Sequence, residues 1–253
     1  MVILKTAEEL ERMWRAGRLA AEALRAVVAA VRPGVTGTAL DRLAEAFIRD
    51  HGGAPSFKGY RGFPASICLS VDDEVVHGIP SDRPLREGTI VSIDLGAMLE
   101  GFHGDTAVTV PVGAVSRSLR RLLTVAREAL YQGIAAARPG GTLGDIGAAV
   151  QRQAEGAGFT VVRDFAGHGI GRHLHEEPQV PNFGEPGAGL VLRAGMTLAI
   201  EPMVNLGGWE VVMDGDGWTV RTRDGRPSAH FEHTVAVTEE GVEVLTAIPD
   251  GVV

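Results

Sequence analysis

A five-residue motif occurs twice in this chain, and it dictates a fold of two like halves. Arg32-Pro-Gly-Val-Thr36 recurs as Arg138-Pro-Gly-Gly-Thr142, 106 positions later. Before the first copy, Leu10, Met13, Trp14, Gly17, Ala20, Leu24, Val27 and Val31 recur at three- and four-residue steps, and Thr6 and Glu9 have the spacing of a capping box. After it, Leu40, Leu43, Ala44 and Phe47 keep the period as far as Gly52-Gly53. The second copy lies between Leu122, Val125, Leu130 and Ile134 on one side and Ile146, Ala149 and Val150 on the other. Pro and Gly between two helices supply a stop and a turn. Strand-like sequence follows each helix pair. In the first half Thr89–Gly96 and Thr106–Pro111 flank a turn at Leu99-Glu-Gly; in the second, Met196–Val204 and His233–Thr238 play the same parts. The expectation is one α/β domain over 1–253, built of two pseudo-symmetric halves (about 1–113 and 114–253) whose sheets join around one core.

Composition narrows the function. A net charge of −8 without a Lys/Arg cluster argues against nucleic acid or an anionic membrane as the main ligand. No apolar run approaches the roughly 18 residues that span a bilayer, and the N-terminal apolar stretch is too short for a secretory signal. The lone Cys68 cannot form an internal disulfide, so nothing points to an oxidising compartment and a cytoplasmic protein is expected. Of the 24 basic residues only Lys5 and Lys58 are lysines, a bias that genome composition or heat adaptation would equally produce.

Four carboxylates sit where apolar strands should exclude them. Asp94 lies between Ile93 and Leu95, Glu201 between Ile200 and Pro202, Glu232 between Phe231 and His233, and Asp105 just before Thr-Ala-Val-Thr-Val. Singly, each reads equally well as a strand-edge acid that is solvated or paired with a distant arginine, because burying a lone ion costs several kcal/mol. Together they read differently. Asp94 and Asp105, eleven positions apart on the two arms of one hairpin, can face the same way, and a pseudo-twofold would bring Glu201 and Glu232 to meet them. Four converging carboxylates raise one another's pKa unless divalent cations neutralise them. An oxygen-rich set with one imidazole suits Mn, Fe, Co or Zn, and shared carboxylates suit two ions.

Histidines are at hand: His168, His173 and His175 fall within Phe165-Ala-Gly-His-Gly-Ile-Gly-Arg-His-Leu-His-Glu-Glu-Pro, and His77 sits at a strand exit. Taken one at a time, each fits a surface or hydrogen-bonded residue more readily than a ligand. Three tempting patterns fail. His175-Glu-Glu-Pro-Gln lacks the second histidine of HExxH, Asp214-Gly-Asp-Gly lacks the glutamate of a calcium loop and reads as a turn, and Gly167-His-Gly-Ile-Gly lacks the spaced third glycine of a dinucleotide fingerprint. No GxSxG occurs, and Cys68 has no base nearby in sequence.

The ordered set His77-Gly-Ile-Pro, Ile93-Asp94, His103-Gly-Asp105-Thr, Gly167-His168-Gly-Ile-Gly, His175-Glu-Glu-Pro, Ile200-Glu201-Pro-Met and Phe231-Glu232-His-Thr resembles type I methionine aminopeptidases, from about Thr6 to Leu245. The short N-terminus looks like the bacterial form. The resemblance implies the pseudo-twofold pita-bread (creatinase/aminopeptidase-like) fold, an antiparallel sheet flanked by helices. It implies two divalent metal ions (Co, Mn, Fe or Zn), with Asp94 a bidentate ligand of one, Asp105 and Glu232 bridging both, and His168 and Glu201 completing the second. His77 and His175 resemble the substrate-facing histidines, with Glu201 also moving a proton. Tyr60, Phe63, Cys68, Leu174 and Trp218 fall where the family lines its methionine pocket; Phe57 and Leu174 depart from the common bacterial residues there.

The implied activity is removal of N-terminal methionine from nascent chains whose second residue is small, with an apolar slot for an unbranched thioether beside a metal-activated water. Transient ribosome association and a monomeric state come with it. Prolyl peptidases of the same fold share the two-Asp, His, two-Glu set, but usually carry a large extra N-terminal domain and lack the Tyr60/Cys68/Trp218 set. A metal-less binding protein of this fold would have lost ligands, and all five positions are filled here. A metal-storage role leaves His77, His175 and the apolar pocket unexplained.

Overall fold

Thr6 closes both arms of a capping box with Glu9, its hydroxyl accepting from the Glu9 N–H and the Glu9 carboxylate accepting from the Thr6 N–H, and this starts helix α1 (Ala7–Ala30). The structure, a computed structural model, describes residues 2–247. The repeated motif does the same work in each half. Gly34 and Gly140 turn the chain with φ of 89° and 83°, and Thr36 and Thr142 then cap α2 (Gly37–Asp50) and α4 (Leu143–Gly156). Helix α3 (Arg117–Ala136) precedes the second copy as α1 precedes the first.

The first half contributes strands β1 (Ala54–Pro55), β2 (Ile67–Val71), β3 (Glu74–Val76), β4 (Ile90–Leu99) and β5 (Phe102–Pro111). The second contributes β6 (Thr160–Val161), β7 (Gly167–Gly169), β8 (Glu176–Val180), β9 (Thr197–Ile200) and β10 (Met203–Asn205). It continues with β11 (Val211–Met213), β12 (Val220–Thr222), β13 (Ser228–His230), β14 (Glu232–Val237) and β15 (Val242–Val244). The main sheet runs β1-β4-β5-β14-β9-β7-β8, with β2 on β4 and β15 on β14, and its ladders are antiparallel. The halves meet where β5 pairs β14, Ala107 opposite Glu232.

Strand alternation gives this sheet two unlike faces. Ile93, Leu95, Val108, Leu198 and Val235 point to the helices and pack with Leu24, Leu40, Ile48, Leu122, Leu130 and Ile146 in the main core. Each such fully buried aliphatic side chain contributes about 1.5–3 kcal/mol. Helix α1 approaches the sheet closely because it meets it through glycine: a Cβ on Gly104 would stand 2.5 Å from the Gly17 Cα. The opposite face, through Asp94, Asp105 and Glu232, is left for chemistry. The Leu99-Glu-Gly turn is a two-residue loop with positive φ at Glu100 and Gly101, the conformation that matches the twist of a tight hairpin.

The segment 196–204 is not one strand. Pro202 has no N–H to give to a ladder, so β9 ends at Ile200 and β10 begins at Met203 in a separate sheet, β13-β10-β6. Glu201 stands in the break. A third sheet, β11-β12-β3, carries Trp218 on the turn between its first two strands. Asp216 holds that turn by accepting from the N–H groups of Trp218 and Thr219, so Asp214-Gly-Asp-Gly is a turn, as its missing glutamate predicts. Among the described residues, no helix is long and apolar enough to cross a membrane.

Candidate metal and substrate site

Register alone gathers the acids. Asp94 opposes Ala107 across β4–β5, and Ala107 opposes Glu232 across β5–β14, so the three lie in one row on one face. Asp105 opposes Gly96, two positions along the same face. Gly96 leaves room beside it, since a Cβ there would press on Ser56 and Phe57 at 2.8–3.0 Å. His168 on β7 opposes Ala199, which opposes Thr234, and this brings the imidazole to the same face. Ligand atoms of Asp105, His168 and Glu232 all lie within 4.8 Å of one another. Glu201 reaches in from the Pro202 break, its Oε1 3.6 Å from the His168 Nε2, which is itself 4.0 Å from the Asp105 Oδ2.

The electrostatics of this cluster call for cations. Among the described residues no lysine or arginine pairs with any of the four acids. Asp94 Oδ1, Asp105 Oδ1 and Glu232 Oε1 are buried and accept no hydrogen bond, which costs roughly 1–3 kcal/mol per group and more for a charged one. Burial, reinforced by the charges of Asp105 and Glu201, holds the Asp94 carboxyl far above the ordinary carboxylate range. Burial and the Asp105 charge do the same to Glu201, burial and its acidic neighbours to Glu232, and burial raises Asp105 to about 7.

His168 gives the sharper indication. Its Nδ1 bonds the Gly169 carbonyl at 2.8 Å, and a carbonyl only accepts, so Nδ1 carries the proton. Burial lowers its pKa to about 4, so the ring is neutral and Nε2 presents a lone pair. That lone pair faces two carboxylate oxygens, an arrangement which a divalent cation among them satisfies. The bonded Nδ1 is the usual way a metal-binding histidine is oriented. The donor set therefore fits a hard to borderline divalent ion.

An apolar cavity of about 140 Å³ opens beside these acids. Phe57, Tyr60, Phe63, Cys68, Leu174 and Trp218 line it together with His77 and His175, so every pocket residue expected from sequence comes to one place. Phe63 meets Trp218 edge-to-face at 5.1 Å. Cys68 pairs with Asp94 across β2–β4, and burial, then the Asp94 charge, raises its thiol well above normal, leaving it a packing group rather than a nucleophile. His175 stacks on Tyr60 and lies tilted against His168 at 4.1 Å, with its Nδ1 3.0 Å from the Tyr60 hydroxyl. Burial and the neighbouring His168 lower its pKa to about 3. His77 sits edge-on to Phe165 with a left-handed φ of 60°, a conformation a non-glycine residue adopts only when its surroundings hold it there.

Two residues of the site escape the sequence reading. Arg61, at φ 50°, stacks on Tyr60 and lines the cavity with a positive charge. His230, 2% exposed, brings its Nε2 within 3.8 Å of the Glu201 Oε2. Its sequence signal is position alone: two residues before Glu232, at the end of a strand-like run.

Comparison with known proteins matches residues 11–239 to metallopeptidase family M24. The methionine aminopeptidase of Clostridium perfringens is 52% identical over 248 residues, 98% of this chain and 100% of that protein. The chain belongs to the methionine aminopeptidases of family M24. Methionine aminopeptidase 1 of Bacillus subtilis is 50% identical over 98% of this chain and 100% of that one. The crystal structure of the methionine aminopeptidase from Rickettsia prowazekii superposes with a TM-score of 0.96 at 45% identity, covering 98% of this chain and all of that one. Prolidase from Pyrococcus furiosus shares the pita-bread fold less closely, with a TM-score of 0.79 at 25% identity, and this chain covers 66% of its length. Within the family, the type I bacterial resemblance and the metallopeptidase assignment read from the sequence both hold.

Proposed function

We propose that this protein removes N-terminal methionine from nascent proteins and peptides whose second residue is small. The observation that carries the reading is the cluster of unpartnered carboxylate oxygens at the mouth of an apolar, aromatic cavity. Asp94, Asp105, His168, Glu201 and Glu232 would hold two divalent ions. Ions so held would supply a water of lowered pKa and polarise the scissile carbonyl.

The chain's own residues supply the rest. Glu201 accepts a proton from the attacking water and delivers it to the departing amine. His175 is neutral, and with the Tyr60 hydroxyl donating to Nδ1 its Nε2–H is free to donate to the scissile carbonyl oxygen as charge develops there. His77, which also lines the cavity, bonds the scissile amide. The acidic cluster attracts a free terminal ammonium, while Arg61 opposes a cationic side chain in the slot. Tyr60, Phe63, Cys68, Leu174 and Trp218 enclose an unbranched thioether; norleucine fits such a slot and branched leucine does not. Crowding by His77, His175 and the carboxylates limits the second residue, with Leu174 leaving space for Thr or Val. The reading includes a cytoplasmic monomer that associates transiently with ribosomes.

The test is hydrolysis of Met-Xaa-Ser peptides by apoprotein reconstituted with Mn, Fe, Co or Zn. Cleavage confined to small Xaa, requiring added metal, is expected. Metal-independent turnover, or indifference to the second residue, contradicts the proposal.

A further inference from the structure

Glu201 stands between two imidazoles, and only one of them belongs to the donor set just described. Its Oε1 faces the His168 Nε2 at 3.6 Å and its Oε2 faces the His230 Nε2 at 3.8 Å. The two rings differ in what fixes them. His168 is oriented through its own Nδ1. His230 is fixed through its backbone: the Thr109 hydroxyl accepts from the His230 N–H and donates to the His230 carbonyl, both at 2.8 Å. A neighbouring hydroxyl, Ser92 Oγ, lies 2.8 Å from the same Thr109 oxygen. The ring that this clamp holds is 2% exposed, and its Nε2 is buried without a hydrogen-bond partner. A buried imidazole nitrogen left unpaired is costly, and the Glu201 carboxylate stands 3.8 Å from it. Glu201 needs such an anchor, because it stands outside any strand, in the break at Pro202. Its backbone carbonyl is tied to the Asn182 amide at 3.1 Å, a bond that fixes the main chain and not the carboxylate.

We infer that His230 is a positioning residue for Glu201, its Nε2–H donating to Oε2 so that Oε1 stays turned toward His168. The inference rests on the proposed aminopeptidase reading, in which Glu201 both holds an ion and moves a proton. A carboxylate that rotated freely would lose one role whenever it served the other. With Oε2 held by a neutral donor, Oε1 and the proton it carries are presented in one orientation. His230 thereby acts on the reaction only through Glu201 and touches neither substrate nor ion.

The test compares wild type with His230→Gln, which keeps an N–H donor, and His230→Met, which fills the volume without one. In the apoprotein, nitrogen-15 imidazole spectra should show His230, assigned by its loss in the Gln variant, as the Nε2–H tautomer. At saturating Co(II), visible absorption titration should give the same number of bound ions in all three proteins. With Met-Ala-Ser, His230→Met should lose about 10–100-fold in kcat, the usual cost of removing a partner that orients a ligand, with KM unchanged and most of the loss recovered in His230→Gln. An Nδ1–H tautomer overturns the inference, as does one fewer ion bound by His230→Met, which would make His230 a ligand. Equal kcat in all three proteins, or Gln no better than Met, overturns it as well. If wild type itself leaves Met-Ala-Ser intact, the aminopeptidase reading fails, and the tautomer still decides the geometry.

Discussion

Lys5 Nζ lies 2.6 Å from Glu176 Oε2, with side chains 3% and 5% exposed, so one of the chain's two lysines spans from the N-terminal segment to the residue beside His175. The other Glu176 oxygen accepts from the His173 N–H, and Lys5 is fixed by its own N–H bond to the Gly195 carbonyl. The loop that presents His175 to the cavity is thus held by a buried ion pair. Lys5→Met strands the glutamate and should cost about 3–5 kcal/mol of stability, measured by denaturant unfolding. It should also lower kcat through a misplaced His175. Unchanged stability and kcat would contradict this role.

The same pair has a pH signature. Burial alone would raise the Glu176 carboxyl, but Lys5 and the His173 N–H more than offset it and leave its pKa below the ordinary 4.5. Stability from this pair is therefore present above that value and lost as pH falls through the lower folded one. Lys5→Met should flatten this acid limb in a plot of unfolding free energy against pH.

Asp105→Ala and Glu232→Ala should each abolish turnover and reduce metal stoichiometry at saturation, because each acid is proposed to serve both ions. Isothermal titration of the apoprotein measures the stoichiometry. Normal stoichiometry with normal turnover in either variant removes the two-ion reading.

His175→Ala should keep full metal content and lose about 2–4 kcal/mol of transition-state stabilisation, the scale of one lost oxyanion-type donor. Tyr60→Phe, which removes only the hydroxyl partner of Nδ1, should fall between wild type and His175→Ala in kcat. A collapse of metal content in His175→Ala would reassign that histidine.

Much of this architecture is legible in the sequence because its signals are local. The repeat predicts turn and cap, and Gly34 with Thr36 and Gly140 with Thr142 supply them. The eleven-residue spacing of Asp94 and Asp105 fixes their common face once the hairpin turns at Glu100-Gly101, because strand periodicity is 2. What the sequence leaves dark depends on contacts between distant segments. His230 is indistinguishable from any strand histidine until β13 and the Pro202 break place it beside Glu201. Arg61 joins the cavity only through a left-handed turn that no glycine marks at its own position. The Lys5–Glu176 pair spans 171 positions, and although Glu176 falls in the His175-Glu-Glu-Pro motif, nothing in that motif points to Lys5.

Metal removal should reverse the pH dependence of stability near neutrality. In the apoprotein Asp105 has a folded pKa of about 7 against an ordinary 3.8, so the folded state binds more protons and loses stability as pH rises through 7. Asp94, Glu201 and Glu232 are raised in the same direction. His168, His175 and His230, lowered from 6.5 to about 4, 3 and 3, work oppositely, but their gain is complete above 6.5. Apoprotein Tm should therefore fall from pH 6.5 to 8, and saturating divalent metal should abolish the fall. A flat apoprotein profile would contradict the clustering of buried acids.

A single competition measures whether this acid-lined cavity selects methionine. Metal-reconstituted protein is given Met-Ala-Ser and Ala-Pro-Ser together, and released amino acids are followed over time. Free methionine is expected, with Ala-Pro-Ser left intact. Efficient release of alanine from Ala-Pro-Ser, with Met-Ala-Ser untouched, would contradict it and assign the site to prolyl peptides instead.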